Sequence, residues 1–216
     1  MENISMTGTL LLMGLAELGN VQYLYSFITL VVFVTVMVLC LTIVVVTWTE
    51  EALHEPMYIF ISNLMFTDMY GSSALMPKLI IDLMTGCMTI PLSQCLAQGF
   101  FLQSFTSVEI FTFTAMAYDR YLAVGHPLRY PMLMTNRKAF KILVAIWIYV
   151  YVGICAVLVI TSRQTLCGVH INSVFCETIS LTHLACGDTT LGIVFGFTWS
   201  MIMMVGCTKL PSKGGS

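Results

Sequence analysis

The sequence predicts an all-α membrane protein, and two observations carry that prediction. Hydrophobic residues make up 58% of the chain and charged residues only 9%, whereas a typical soluble domain contains about 25% charged residues. Uncharged apolar stretches recur along the chain, each close to the roughly 20 residues that a helix needs to cross a bilayer. A net charge of −2 gives no global positive field, which excludes nucleic acid as an expected partner. The lipid bilayer is therefore the expected solvent.

Five membrane-spanning helices are expected, because no ten-residue alternation typical of a transmembrane barrel is present. Residues 1–22 form a short tail before the bundle and residues 209–216 a polar tail after it. No Lys or Arg precedes the first apolar run, so this run is expected to be an uncleaved anchor rather than a signal peptide. The transmembrane bundle covers residues 23–208, with helices predicted over about residues 23–48, 57–81, 96–118, 142–162 and 189–208.

The basic residues predict the orientation of the bundle. Seven of the nine Lys and Arg residues lie in the connection after the third span or in the C-terminal tail. Because cytoplasmic loops carry an excess of Lys and Arg, these segments are expected in the cytoplasm and the N-terminus outside the cell. A glycosylation sequon at Asn3 falls on the predicted outer side. The expected location is the plasma membrane.

Two of the spans contain an acidic residue near the middle, Asp68 in the second and Glu109 in the third. A carboxylate at that depth costs about 2.5–3.5 kcal/mol, so it is expected to face the protein interior and to have a partner. Two neighbouring carboxylates repel each other, and either a proton on one of them or a bound cation relieves the repulsion. The residues themselves leave both alternatives open, a neutral hydrogen-bonded pair and a cation site.

Three long sequence strings stand out at the ends of the predicted spans. The third span ends MAYDRYLAVGHPLRY (Met116 to Tyr130), the second begins LHEPMYIFISNLMFTD (Leu53 to Asp68), and Leu184 to Thr189 lead into the fifth. Together they resemble the olfactory receptors, within the rhodopsin-like G-protein-coupled receptors, over about residues 20 to 205. The resemblance implies a rhodopsin-like helix bundle in which five of the family's seven transmembrane helices are present.

The resemblance implies roles for several residues. Asp119, Arg120 and Tyr121 match the segment that the family uses for activation and coupling to a heterotrimeric G protein, with Asp119 placed to hold the Arg120 guanidinium. By spacing alone, Arg120 is also explained as an interfacial arginine that reaches toward the headgroups. Asp68 and Glu109 match acids that the family associates with a structural Na⁺, and no other cofactor is implied. The implied disulfides join Cys95 to Cys176 and Cys167 to Cys186.

The resemblance also implies a ligand site in the outer half of the bundle, where pockets between helices form. Below Cys95 on the third span, the residues expected to line it are Leu102, Gln103, Thr106 and Ser107. Such a wall suits small, weakly polar odorant molecules, although Ser and Thr also serve ordinary helix packing. The expected function is that of an odorant receptor that signals through a stimulatory G protein. No metal-binding spacing or phosphate loop is present, so no enzyme is predicted.

The chain departs from the family pattern in two places. Leu39-Cys40 stands where the family usually has Gly-Asn, which removes a polar partner for Asp68. Only five of the seven helices are found, so the expectation is a truncated chain that does not signal and is retained in the endoplasmic reticulum. The alternative functions are a non-signalling fragment that dimerises with full-length receptors, through a pattern such as Gly192 and Gly196, and a small membrane transporter.

Overall fold

The computed structural model describes residues 9–12, 21–50, 55–87, 89–163, 168, 170–171, 173–176, 180–181, 184–187 and 190–209. Five long helices, one short helix and three short strands follow one another in that part of the chain. The predicted all-α membrane class is confirmed for the bundle, and a small sheet is added at one end. The elements are β1 Thr9–Leu12, α1 Gln22–Thr49, α2 Pro56–Thr85, β2 Thr89–Pro91, α3 Leu92–Gly125, α4 Tyr130–Leu133, α5 Asn136–Ser162, β3 His170–Ile171 and α6 Thr190–Lys209.

The five long helices correspond to the five predicted spans, and α2, α3 and α5 extend beyond the predicted limits. α2 has Pro56 in its first turn, and Gly86 terminates it with a left-handed φ of 66° that a side chain would disfavour. α5 is capped by Thr135, whose side chain accepts a hydrogen bond from the Lys138 amide. These helices are longer than the apolar runs because their polar end turns continue past the hydrocarbon layer.

In the first helix, small or polar side chains are buried and apolar side chains are exposed, as expected for a helix surrounded by lipid. Its buried side chains are the small or polar Ser26, Cys40 and Thr47, while many of its Val, Leu and Ile side chains are exposed. The Thr47 hydroxyl donates to the Ile43 carbonyl oxygen at 2.7 Å, which satisfies a polar group without water. Among the described helices, α1 and α5 are long and apolar enough to cross a membrane by length and composition.

Asn63 joins three helices. Its Nδ2 donates to Thr112 Oγ1 on α3 at 3.0 Å, and its Oδ1 accepts from Trp147 Nε1 on α5 at 2.9 Å. Thr112 is fully buried, so water does not compete for these bonds. Such interhelical hydrogen bonds hold membrane helices together where the surrounding lipid is as apolar as the helices. The same three helices share an apolar cluster made of Phe60, Ala115, Ala139 and Leu143.

Two glycines permit close contacts between helices. A Cβ at Gly153 of α5 would lie 2.2 Å from the indole of Trp199 on α6, and a Cβ at Gly71 of α2 would lie 2.5 Å from the ring of Phe105 on α3. The Trp199 indole also stacks on Tyr149 of α5, with ring centroids 4.5 Å apart. Small residues let large ones pack against the backbone of the neighbouring helix, so Trp199 docks α6 on α5.

The three strands form a sheet of order β2-β1-β3 at one end of the bundle. β1 pairs antiparallel with β2, with Leu10 opposite Ile90, and parallel with β3, with Leu11 opposite His170. The sequence predicts only a short tail here, with helix as the only regular element. These strands are not predicted from the sequence, and they are compatible with a membrane protein because the rule against open sheets applies to backbone in lipid and not to backbone in water.

These contacts distinguish the two ends of the bundle. The N-terminal strand, the α2–α3 connection and the α5–α6 connection meet in the sheet, and we call this the outer end. We call the opposite end of α3 the inner end. Tyr130 lies there, close enough to Glu55, the residue just before α2, to interact with its charge. Alternate connections therefore lie at opposite ends, as expected for helices that each cross one layer. The cellular side of each end stays a prediction.

Candidate functional site

Asp119 lies at the inner end of α3 and is 1% exposed. Its Oδ1 accepts a hydrogen bond from the Tyr130 hydroxyl at 2.9 Å, and its Oδ2 has no hydrogen-bond partner among the described residues. Arg120 and Tyr121 are exposed, because successive helical residues point about 100° apart. The three predicted coupling residues are thus separated. Asp119 faces the bundle and bonds to Tyr130 rather than to Arg120, and the other two face outward.

Tyr130 is a residue of this end that the sequence does not single out. The pKa of its hydroxyl is raised to about 12, chiefly by burial and then by the hydrogen bond to Asp119 and the charges of Asp119 and Glu55, while Arg120 opposes the rise. The phenol is therefore a neutral donor at physiological pH. Its sequence signal is limited to the HPLRY string, which does not indicate a partner eleven positions earlier.

An exposed surface of mixed apolar and basic character surrounds Arg120. Val124, Leu128 and Met132 are 81%, 96% and 85% exposed, and Arg129 is exposed beside them. These residues follow the predicted span, so lipid tails do not account for their exposure. Large apolar side chains that stay exposed among charged ones mark protein interaction sites. We call Arg120, Val124, Leu128, Arg129 and Met132 the inner surface.

The two acids inside the membrane lie together. The Asp68 and Glu109 carboxyl groups lie close enough to interact, and the buried Cys40 on α1 lies close enough to interact with the charge of Asp68. An ionised carboxylate only accepts hydrogen bonds, so two carboxyls in contact require a shared proton or a cation. Their oxygens suit a hard cation such as Na⁺, while the Cys40 thiol offers a soft sulfur. No group of three or more metal-ligating side chains occurs in the described residues.

The four predicted ligand residues occupy two turns of α3. Gln103 and Thr106 are exposed, whereas Leu102 and Ser107 are half-buried. The Thr106 hydroxyl donates to the Leu102 carbonyl oxygen at 3.1 Å, which leaves its oxygen available as an acceptor for a ligand. Exposed residues recur along the same face of α3 from Thr106 to Arg120. One face of α3 therefore connects the predicted ligand residues with the inner surface.

A polar and aromatic cluster that the sequence does not predict lies beside these residues. The Tyr70 and Ser104 hydroxyl oxygens are 3.0 Å apart and share a hydrogen bond, and the Tyr151 side chain lies close to Tyr70. Ser104 is fully buried. The members come from α2, α3 and α5, so only folding brings them together. The rings of the cluster are Tyr70, Phe100, Phe101, Trp147 and Tyr151.

One of the two predicted disulfides is confirmed. Cys95 and Cys176 are disulfide-bonded across 81 residues of sequence, and both are fully buried. The Cys176 amide donates to Gln98 Oε1 at 3.0 Å, which fixes the loop on the first turns of α3. Cys186 is disulfide-bonded, but its predicted partner Cys167 lies outside the described residues, as does the sequon residue Asn3. Those two assignments therefore stay predictions.

Comparison with known proteins gives one consistent family. The sequence model of the family described as Olfactory receptor matches residues 26–210. Olfactory receptor 6N1 of Homo sapiens is 36% identical over 197 residues, which cover 90% of this chain and 63% of that protein. Olfactory receptor 1E16 of Mus musculus is 33% identical over 94% of this chain and 65% of that protein. Olfactory receptor 1496 of Rattus norvegicus is 32% identical over 95% of this chain and 66% of that protein.

The chain spans just under two thirds of the length of these relatives. The matched residues include every long helix of the structure except the first few residues of α1. They also include both acids inside the membrane, the disulfide and the inner surface.

Proposed function

The chain belongs to the olfactory receptor family, and on that premise we propose that it acts as a G-protein-coupled receptor for small odorant molecules. The observation that carries the proposal is the arrangement along α3. That helix joins the disulfide-anchored outer end, the predicted ligand face and the buried Asp119 beside the exposed Arg120. A rigid element that bears both sites is what a receptor needs to couple one to the other.

The odorant site of the proposal lies on the outer half of α3. Gln103 and Thr106 supply an amide and a hydroxyl on an otherwise apolar face, and Leu102 and Ser107 lie beside them. Such a wall favours small molecules with one or two weakly polar groups, because apolar pockets with few polar groups give orientation without a large desolvation cost. A charged ligand is not expected there.

The coupling site of the proposal is the inner surface. Arg120 supplies a cation near the C-terminal end of α3, and Val124, Leu128 and Met132 supply the exposed apolar area that a protein partner buries. A heterotrimeric G protein of the stimulatory class is the partner, and the inner end faces the cytoplasm, with the N-terminus outside the plasma membrane. The basic residues of this connection support that orientation.

Asp68 and Glu109 hold a Na⁺ in the proposed resting state. Their proximity supports the proposal, because a cation between two carboxylates removes the repulsion that would otherwise separate them. A Na⁺ supplies charge neutralisation there and no chemistry. The chain's own residues position it, and Cys40 contributes a weaker partner than an amide oxygen would.

The proposal departs from the expectation of a truncated chain that does not signal, and cells that express the chain, a cyclic-AMP reporter and a panel of small volatile organic molecules decide between the two. A ligand should raise cyclic AMP and raise the unfolding temperature of the detergent-solubilised chain, because binding stabilises the folded state. Gln103→Leu and Thr106→Val should reduce both responses. Arg120→Gln should abolish the cyclic-AMP response and keep the thermal shift, and Val152→Leu, on the exposed face of α5, is the matched control.

Two results would contradict the proposal. One is a ligand whose thermal shift is unaffected by Gln103→Leu and Thr106→Val. The other is a cyclic-AMP response that Arg120→Gln leaves undiminished.

The second candidate function is a non-signalling partner that dimerises with full-length relatives. Gly192 and Gly196 lie about one turn apart on α6, with Gly192 buried and Gly196 half-buried, and the exposed Ile193, Val194 and Phe197 beside them are the side chains available for a contact between membrane helices. This candidate predicts co-precipitation with a full-length receptor that Gly192→Leu and Gly196→Leu weaken, without any cyclic-AMP response of the chain alone. Co-precipitation that both variants leave unchanged would exclude this contact.

A further inference from the structure

The N-terminal strand β1 occupies the centre of the outer sheet. β2 precedes α3 and β3 follows α5, and in the strand order β2-β1-β3 they are not neighbours. Each forms its ladder with β1, through the pairs Leu10 with Ile90 and Leu12 with Ile171. Among the described strands, the two outer connections are therefore joined by backbone hydrogen bonds only through the tail.

The tail also contributes the middle of the outer apolar cluster. Leu10 is 0% exposed, Ile90 and Ile171 on the flanking strands are 1% exposed, and Cys95 and Cys176 are 0% exposed. All five belong to one cluster of buried residues. The strand β1, which precedes the first helix, therefore contributes to the burial of the disulfide.

The gap between β2 and β3 has the two features that allow a further strand to bind there. Two strand edges offer unpaired N–H and C=O groups, and an apolar hole between them accepts one side chain. The chain's own tail occupies this gap. Its connection to α1 keeps it at a high effective concentration, so a segment of four residues suffices.

We propose that Thr9–Leu12 is a detachable strap that closes the outer end of the bundle by strand addition, with Leu10 as its anchor. When the strap is seated, the Cys95–Cys176 disulfide and the first turn of α3 are sealed from water. When it leaves, the two outer connections lose their common strand and the disulfide becomes accessible. The strap is a property of this end alone and does not depend on the identity of any ligand.

The strap is tested by the rate at which tris(2-carboxyethyl)phosphine reduces the Cys95–Cys176 disulfide in the detergent-solubilised chain, followed by alkylation and mass spectrometry of both thiols. Leu10→Asp should raise this rate about tenfold or more, because a carboxylate cannot occupy the apolar hole without a large desolvation cost. Val21→Asp is the matched control at the start of α1, since Val21 is 47% exposed, and it should leave the rate unchanged.

A second pair of variants keeps the test valid if Leu10→Asp does not fold. In a Cys87→Ser background, Leu11→Cys with Thr89→Cys places two thiols on residues that face each other in the ladder. An irreversible short thiol-to-thiol cross-linker should join them and slow the reduction of the native disulfide several-fold. Thr9→Cys with Thr89→Cys, two residues out of register, should cross-link poorly and leave the reduction rate unchanged.

Three results would overturn the strap. The first is an unchanged reduction rate in a folded Leu10→Asp variant. The second is equal cross-linking of the in-register and out-of-register pairs, which would mean that β1 is not seated. The third is cross-linking between two chains instead of within one, which would assign the gap to the tail of a second copy.

Discussion

At the scale of single residues, the inner end depends on a buried acid with one satisfied oxygen. Asp119 Oδ1 accepts from Tyr130, and Oδ2 lacks a hydrogen-bond partner among the described residues. A buried carboxylate that loses its remaining donor carries the full desolvation cost of the group. Tyr130 therefore has a larger effect on stability than its half-exposed position indicates.

The first prediction concerns the variant Tyr130→Phe. It removes the hydroxyl and leaves the aromatic ring, so Asp119 is left without a described partner. We expect the free energy of unfolding to fall by about 1–3 kcal/mol, the cost of a buried group left unsatisfied. Thermal unfolding in detergent measures it, and Tyr121→Phe, at a residue 52% exposed, serves as the control. Equal stability of both variants would show that the bond contributes nothing.

The second prediction concerns pH. The pKa of Tyr130 is raised from 10 to about 12 in the folded chain. A group with a raised folded pKa stabilises the fold fully below its unfolded pKa, and that contribution is lost as pH rises through the folded value. The wild type should therefore lose more stability than Tyr130→Phe between pH 10 and about 12. A parallel decline of the two chains in a denaturation series over that range would disprove it.

The roles of some residues can be predicted from the sequence around them, and the roles of others cannot. The disulfide-bonded cysteines and the Asp119-Arg120 segment can be recognised because the sequence resembles a known family. Tyr130 as the partner of Asp119, and Asn63 as the bridge between Thr112 and Trp147, are not recognisable. Each is a hydrogen bond between side chains on different helices. No periodicity or spacing in the sequence indicates which two polar side chains form such a bond.

At the scale of elements, α6 packs closely on α5 through Trp199. The Trp199 indole lies against Gly153, where the backbone of α5 leaves room for no side chain. The stack on Tyr149 covers the other part of the indole. The α5–α6 interface therefore tolerates little added volume at this point.

The third prediction concerns the variant Gly153→Ala. The added methyl group would overlap the Trp199 indole, so the indole or α6 must shift, and we expect a loss of about 1–3 kcal/mol of stability, the usual cost of overpacking. Gly125→Ala, where the added Cβ meets no atom within 4 Å, should be neutral or stabilising. In a double-mutant cycle, Trp199→Ala should remove most of the penalty, and additive losses would exclude the contact as the cause.

The elements themselves show where sequence reasoning succeeds and where it fails. Long apolar runs predict the five long helices because the bilayer imposes a minimum apolar length. The strand β1 is missed because four residues, Thr9 to Leu12, show no alternation, and because its two partners lie far away in the chain. Non-local pairing of a short segment is decided by the tertiary structure.

At the scale of the whole molecule, the structure fixes which connections share an end, and the basic residues predict which end is cytoplasmic. The tail, the α2–α3 connection and the α5–α6 connection are together. A single marker on each end is therefore sufficient to determine the topology.

The fourth prediction tests that topology by glycosylation. The chain should carry one glycan, which Asn3→Gln removes, because only the luminal side is modified. In the Asn3→Gln background, Val174→Thr creates a sequon at Asn172 on the outer connection and should restore the glycan. Leu133→Asn creates one with Thr135 at the inner end and should not. Gel mobility before and after glycosidase treatment gives the result, and a glycan only on the Leu133→Asn chain would invert the orientation.

The outer sheet also has a consequence for the timing of biosynthesis. β1 leaves the ribosome before α1, yet β3, its second neighbour, follows only after four long helices have been made. At roughly 5–20 residues per second, the tail waits on the order of ten seconds or more without its full complement of partners. An apolar strand that is exposed for so long is a natural substrate for chaperones. Closure of the outer sheet is thus one of the last events in the maturation of the described part of the chain.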